Sequence, residues 1–160
     1  MQRLDYRKAA PAAIDALAGI NRYLDASSLP RGLRLLLEIR ISQINGCAYC
    51  VDTHTRQARA DGENQQRLDG LCVWRDIPVF DEHVFDEHVF DERERAALAW
   101  AEALTLCATA APSDEHYAAA RAHFEERELV DLTLAIAGMN AWNRIGIAFR
   151  PAIRASHADA

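Results

Sequence analysis

Two thiols and an imidazole stand close together in Ser42-Gln43-Ile44-Asn45-Gly46-Cys47-Ala48-Tyr49-Cys50-Val51-Asp52-Thr53-His54. Cys50 follows Cys47 by three residues and His54 follows Cys50 by four, so on an α-helix all three share one face. Asn45-Gly46 is a helix-ending pair, which puts Cys47 and Cys50 in the first turn of a new helix and His54 one turn on. There the unpaired amides and the positive end of the helix dipole stabilise a thiolate, and the imidazole can take or return its proton. This pattern reads as redox chemistry. Cys50, nearer His54, is the attacking thiolate of that reading, and Cys47 resolves the sulfenic acid into a disulfide.

Two other readings use the same residues. Zinc would take Cys47, Cys50 and His54 as ligands, but a fourth is required and no second Cys or His pair follows at suitable spacing. The blandest reading has the thiols merely buried in a core. A c-type haem is excluded by motif, since Val51 and not His follows Cys50. The carboxylates available for a proton relay are Glu38, nine residues before Cys47 on a mostly apolar helix, and Glu102 on a later one. The alternative for either acid is a salt bridge, with Arg34, Arg40 and Arg144 as available cations.

The elements that must position these groups all read as helices. Ile14, Leu17, Ile20 and Leu24 recur at helical spacing from Pro11 to Leu24, and Gly32 to Ile44 is apolar nearly all round, so its polar residues need partners. The Cys helix runs to Ala60 before Asp61-Gly62, and a shorter stretch spans Asn64 to Trp74. Asp91 with Glu94 opens a helix over Glu92 to Cys107, with Ala97, Leu98, Ala101, Leu104 and Thr105 inward and Trp100 and Glu102 off the stripe. Helices over Glu115 to Phe124 and Glu128 to Asn143 follow, the last rich in small residues. Cys72 and Cys107 are expected to be ordinary buried residues, and His116 and His123 surface ones. Phe80-Asp81-Glu82-His83-Val84 recurs as Phe85-Asp86-Glu87-His88-Val89 and begins again at Phe90. A five-residue period fits neither helix nor strand, so this reads as a duplicated surface loop at about 78–91 rather than a metal site on His83 and His88.

No segment reads as a strand, and the expected fold is all-α, about six to eight helices in a single domain over 1–160. A formal net charge of -6 and the lack of a basic stripe argue against nucleic acid. The N-terminus has no signal-peptide core, and no apolar run reaches membrane-spanning length, so the expected location is the cytoplasm. There a Cys-x-x-Cys pair is more often catalytic or metal-binding than a staple.

The Ile41–His54 stretch, Glu94-Arg95-Ala96-Ala97-Leu98-Ala99-Trp100-Ala101-Glu102-Ala103-Leu104-Thr105 and Met139-Asn140-Ala141-Trp142-Asn143-Arg144 resemble the alkylhydroperoxidase D-like (AhpD-like) branch of the carboxymuconolactone decarboxylase family. The resemblance covers most of the chain from Leu4 to Arg150. It implies an AhpD-like helical fold that assembles as a homo-oligomer (trimer, hexamer or dimer). It also implies peroxide reduction through the Cys pair without haem or flavin, with electrons from a dithiol or lipoyl-bearing reductant protein. On this resemblance Cys50 is the peroxidatic thiol, Cys47 the resolving thiol and His54 the relay histidine. The family's relay glutamate usually lies twelve residues before the first Cys, and that position is Leu35; Glu38, one turn later, or Glu102 is left to supply the acid. The expected function is thus a thiol-dependent peroxidase acting on hydroperoxides. The alternatives are a non-catalytic redox sensor or interaction module, or a decarboxylase-type enzyme acting on a lactone.

Overall fold

The computed structural model describes residues 2–77 and 89–153. The repeat expected at 78–91, with His83 and His88, falls largely outside the described residues, as does the end of the chain after 153. Among the described residues there are eight α-helices and no strand. They are α1 (Tyr6–Ala9), α2 (Pro11–Asp25), α3 (Arg31–Asn45), α4 (Ala48–Ala60), α5 (Gln65–Gly70), α6 (Glu92–Thr105), α7 (Asp114–His123) and α8 (Glu126–Phe149), with a 3₁₀ turn at Leu71–Val73. None is long and apolar enough to cross a membrane.

Helix α3 is the centre of the bundle, packed against α4, α6 and α8. Leu36, Leu37, Ile39 and Ile41 are fully buried, each contributing roughly 1.5–3 kcal/mol of burial. A helix enclosed on three sides needs partners for its polar side chains, and those of α3 are paired apart from Arg34 Nε, which is buried without one. Arg34 donates to Asp25 at 2.8 Å, Arg40 to Glu102 at 2.7 Å, and Ser42 Oγ to the Glu38 carbonyl at 2.6 Å. Asn45 donates to Asn140 at 2.9 Å and to Asn143 at 2.8 Å, while buried Asn143 donates to Ser42 Oγ at 3.0 Å. These amides fix α8 on α3 in one register. Gly138 of α8 lets Ile20 of α2 approach so closely that a Cβ would lie 3.0 Å from its side chain.

Asp91 and Glu94 form the expected capping box, Asp91 accepting from the Glu94 amide at 2.7 Å and Glu94 from the Asp91 amide at 3.1 Å. Helix α8 begins earlier and ends later than its small-residue pattern predicts, since Glu125 caps it through Glu128 and nothing breaks it before Arg150. Three further expectations are corrected. Cys72 and Cys107 are exposed: Leu71 takes the core position of the 3₁₀ turn, and α6 stops at Thr105, short of Cys107. The Asn64–Trp74 stretch is not one helix but α5 followed by that turn, with Asn64 as N-cap. Trp100 and Glu102 are buried, because α6 packs against α3, α7 and α8 together and has little circumference left for solvent.

Candidate active site

The α3–α4 junction builds the site. Gly46 takes φ 70°, ψ 32°, a left-handed conformation that other residues seldom adopt. Its amide donates to the Gln43 carbonyl at 3.2 Å and the Cys47 amide to the Ser42 carbonyl at 3.0 Å, closing α3 as a Schellman motif. Cys47 is then the N-cap of α4, just outside the first turn in which the sequence pattern placed it, and Cys50 is the third helical residue. The Cys47 carbonyl accepts the first bond of α4, from the Val51 amide at 3.0 Å. Both sulfurs therefore lie at the positive end of the helix, where a thiolate is favoured once the pair is reduced.

Cys47 and Cys50 are joined as a disulfide, with Cα atoms 5.4 Å apart, and both residues are buried. Helix α8 closes over them at Gly146. A Cβ there would lie 2.8 Å from Cys47 Sγ and 3.2 Å from Cys50 Sγ, so only glycine fits against the sulfurs.

His54, one turn beyond Cys50, turns its Nδ1 to Glu38 Oε2 at 2.9 Å and to Gln57 Oε1 at 3.0 Å. Both side chains of the His54–Glu38 pair are largely withdrawn from solvent. A carboxylate can only accept, so the Nδ1 of a neutral imidazole carries the proton and Nε2 is left as the basic nitrogen. Cys50 and His54 line the same pocket of about 280 Å³, whose walls include Tyr6, Tyr49, Met139 and Trp142. Trp142 Nε1 donates to Asn21 Oδ1 at 2.8 Å, which fixes one wall. Cys47 lines a different pocket, on the other side of Tyr49 and Gly146.

Of the carboxylates singled out from the sequence, Glu38 meets His54 and Glu102 does not. Glu102 accepts from Arg40 Nε at 2.7 Å, from Trp74 Nε1 at 2.8 Å and from Arg75, all away from the thiols. Burial alone would raise its carboxyl, but the bonds from Trp74, Arg40 and Arg75 outweigh that and hold it below the usual carboxylate range. Glu102 is the anchor of an ion cluster tying α3 and the 3₁₀ turn to α6. Arg34 and Arg144, the other cations considered, bind Asp25 and the Asn140 carbonyl. Sequence reasoning missed Gly146 and the pocket walls Tyr6, Asn21 and Trp142. The one available signal was the small-residue character of α8, which continues past Asn143 to Gly146.

An all-helical bundle with a Cys-x-x-Cys pair at a helix start defines a class, and the comparisons agree. Residues 8–103 match the carboxymuconolactone decarboxylase family, and the chain belongs to that family, in its AhpD-like branch. The uncharacterized protein YdfG of Bacillus subtilis (strain 168) is 38% identical over 147 residues, 92% of this chain and 93% of that protein. A crystal structure from Agrobacterium tumefaciens, a protein of unknown function described only as a candidate antioxidant defence protein AhpD, superposes with a TM-score of 0.86. It is 38% identical and the match covers 98% of this chain and all of that one. The debrominase Bmp8 shares the fold at a TM-score of 0.76 and 23% identity, over 92% of this chain and 74% of Bmp8.

Proposed function

We propose that the chain is a thiol-dependent peroxidase, with Cys50 as the attacking thiolate, Cys47 as the resolving thiol and His54 as the proton relay held by Glu38. The observation that carries this reading is that Cys50 and His54 open into one pocket while Glu38 occupies the far nitrogen of the imidazole. In the reduced protein the Cys50 thiolate attacks the terminal oxygen of a hydroperoxide. An S–O bond forms, the O–O bond breaks, and the departing alkoxide takes a proton through His54, leaving an alcohol and a Cys50 sulfenic acid. The Cys47 thiol then displaces water from that sulfenic acid and the S–S bond forms, which stops over-oxidation. The disulfide is the state described above. An external dithiol, small or lipoyl-bearing, returns two electrons and two protons by thiol–disulfide exchange.

A cytoplasmic location belongs to the same proposal, supported by the free, exposed thiols of Cys72 and Cys107. So does a homo-oligomer, supported by the exposed apolar side chains Leu4, Tyr23, Val130 and Ile147. Steady-state turnover of cumene hydroperoxide with excess dihydrolipoamide tests the reading. Turnover should be lost when reduced protein is alkylated before assay and lost in Cys50→Ser. Persistent turnover in either case would sink it.

A further inference from the structure

Among the described residues, Arg7 is the one cationic residue besides the histidine on the wall of the pocket that Cys50 and His54 share. Arg7 lies on α1, the short helix capped by Asp5, whose carboxylate accepts from the Lys8 amide at 3.3 Å. The preceding segment is fastened to the end of α8: the Arg3 amide donates to the Phe149 carbonyl at 2.9 Å and its guanidinium to the Ala148 carbonyl at 3.1 Å. Tyr6, buried, packs on Phe149 with ring centroids 5.7 Å apart. The guanidinium of Arg7 then sits 5.5 Å from the centroid of the Tyr6 ring, exposed at the pocket and without a carboxylate partner among the described residues.

Among the described residues, no Asp or Glu lines this pocket. His54 already faces Glu38 through its Nδ1. The remaining wall is aromatic and apolar, from Tyr6, Tyr49, Met139 and Trp142. One donor is also uncommitted: Asn21 accepts from Trp142 through Oδ1, which leaves its amide N–H groups for a ligand. The walls therefore match a molecule with an apolar or aromatic body, a reacting group at one end and an anion at the other.

We propose that the substrate is an amphipathic hydroperoxide whose apolar body lies against Tyr49, Met139 and Trp142, with its peroxide at Cys50 and an anionic group, a carboxylate in the simplest case, at Arg7. This rests on the peroxidase reading for its chemistry but not for its charge preference. The matched probes are cumene hydroperoxide and its para-carboxylate, assayed with dihydrolipoamide. For an exposed charge contact the carboxylate should be favoured in kcat/KM by roughly two- to fivefold. That preference should shrink with added salt. Arg7→Gln should bring the ratio to about one and Arg7→Lys should retain it. A wild-type ratio of one or below, or a ratio that Arg7→Gln leaves intact, overturns the assignment. Calorimetric binding of para-isopropylbenzoate, against neutral para-isopropylbenzyl alcohol, separates the two claims. If neither hydroperoxide is turned over but para-isopropylbenzoate binds in preference, and that preference is lost in Arg7→Gln, the peroxidase reading fails and the anion site stands. No preferential binding overturns the anion site whatever the turnover.

Discussion

Gly146→Ala tests how tightly α8 is fitted to the disulfide. A Cβ at this position would stand 2.8 Å from Cys47 Sγ and 3.2 Å from Cys50 Sγ, and the bond between the two sulfurs restrains each from rotating away. Overpacking of this kind costs about 1–3 kcal/mol. Against it, replacing a glycine inside a helix with alanine gains about 1 kcal/mol of helix propensity. In the oxidised protein the balance is a destabilisation of roughly 0–2 kcal/mol. Reduction frees each thiol to rotate away from the new methyl, so most of the overpacking is relieved and the helix gain remains. The substitution should therefore cost about 1–2 kcal/mol more in the oxidised protein than in the reduced one. Since 1.4 kcal/mol corresponds to 30 mV for a two-electron couple, the reduction potential of Cys47–Cys50 should rise by roughly 20–40 mV. Urea unfolding in each redox state gives the first quantity, and equilibration with a dithiol buffer gives the second. Equal stability changes in the two states, or a potential that falls, would refute the fitted-helix argument.

Other substitutions probe the remaining contacts. Glu38→Gln keeps an acceptor near His54 but removes the charge, and should lower kcat/KM for hydroperoxide by about tenfold to a hundredfold while the protein still forms the Cys47–Cys50 disulfide in a single turnover. An unchanged rate would remove Glu38 from the relay. Glu102→Gln should cost about 2–3 kcal/mol at neutral pH by weakening the bonds to Arg40, Trp74 and Arg75. Its carboxyl is held low in the fold, so this stabilisation is fully present above the unfolded value of about 4.3 and is lost as pH falls through the lower folded one. Urea midpoints of wild type and variant should therefore converge in acid; a gap that widens below pH 4 would contradict the sign. Native oxidised protein treated with iodoacetamide should be labelled at Cys72 and Cys107 and not at Cys47 or Cys50, as peptide mass mapping would show.

What was legible in the sequence is what local rules control. Gly46 ends α3 because its left-handed conformation is a property of the residue itself, and Asp91 with Glu94 starts α6 through bonds spanning one turn. The three-and-four spacing of Cys47, Cys50 and His54 needed only helix geometry to bring them together. What was not legible depends on contacts between helices. Whether Glu38 or Glu102 meets His54 is set by how α3 and α6 are rotated about their axes, and the register of α3 turned Glu38 toward α4. Trp100 and Glu102 were misplaced because a stripe rule assumes one buried face, whereas α6 is enclosed on several. Gly146 lies beyond the expected end of its helix at Asn143, and its fit against the sulfurs depends on where α8 crosses them. Cys107 is exposed because its helix ends at Thr105, a stop that no residue pattern at that point signals.

The central claim is that Cys50, and not Cys47, meets the peroxide. Reduced Cys47→Ser and Cys50→Ser proteins should each be exposed to one equivalent of cumene hydroperoxide in the presence of dimedone, and their peptides mapped by mass. The dimedone adduct should appear on Cys50 in Cys47→Ser, and Cys47 should stay unmodified in Cys50→Ser. An adduct on Cys47, or none on Cys50, would contradict the account.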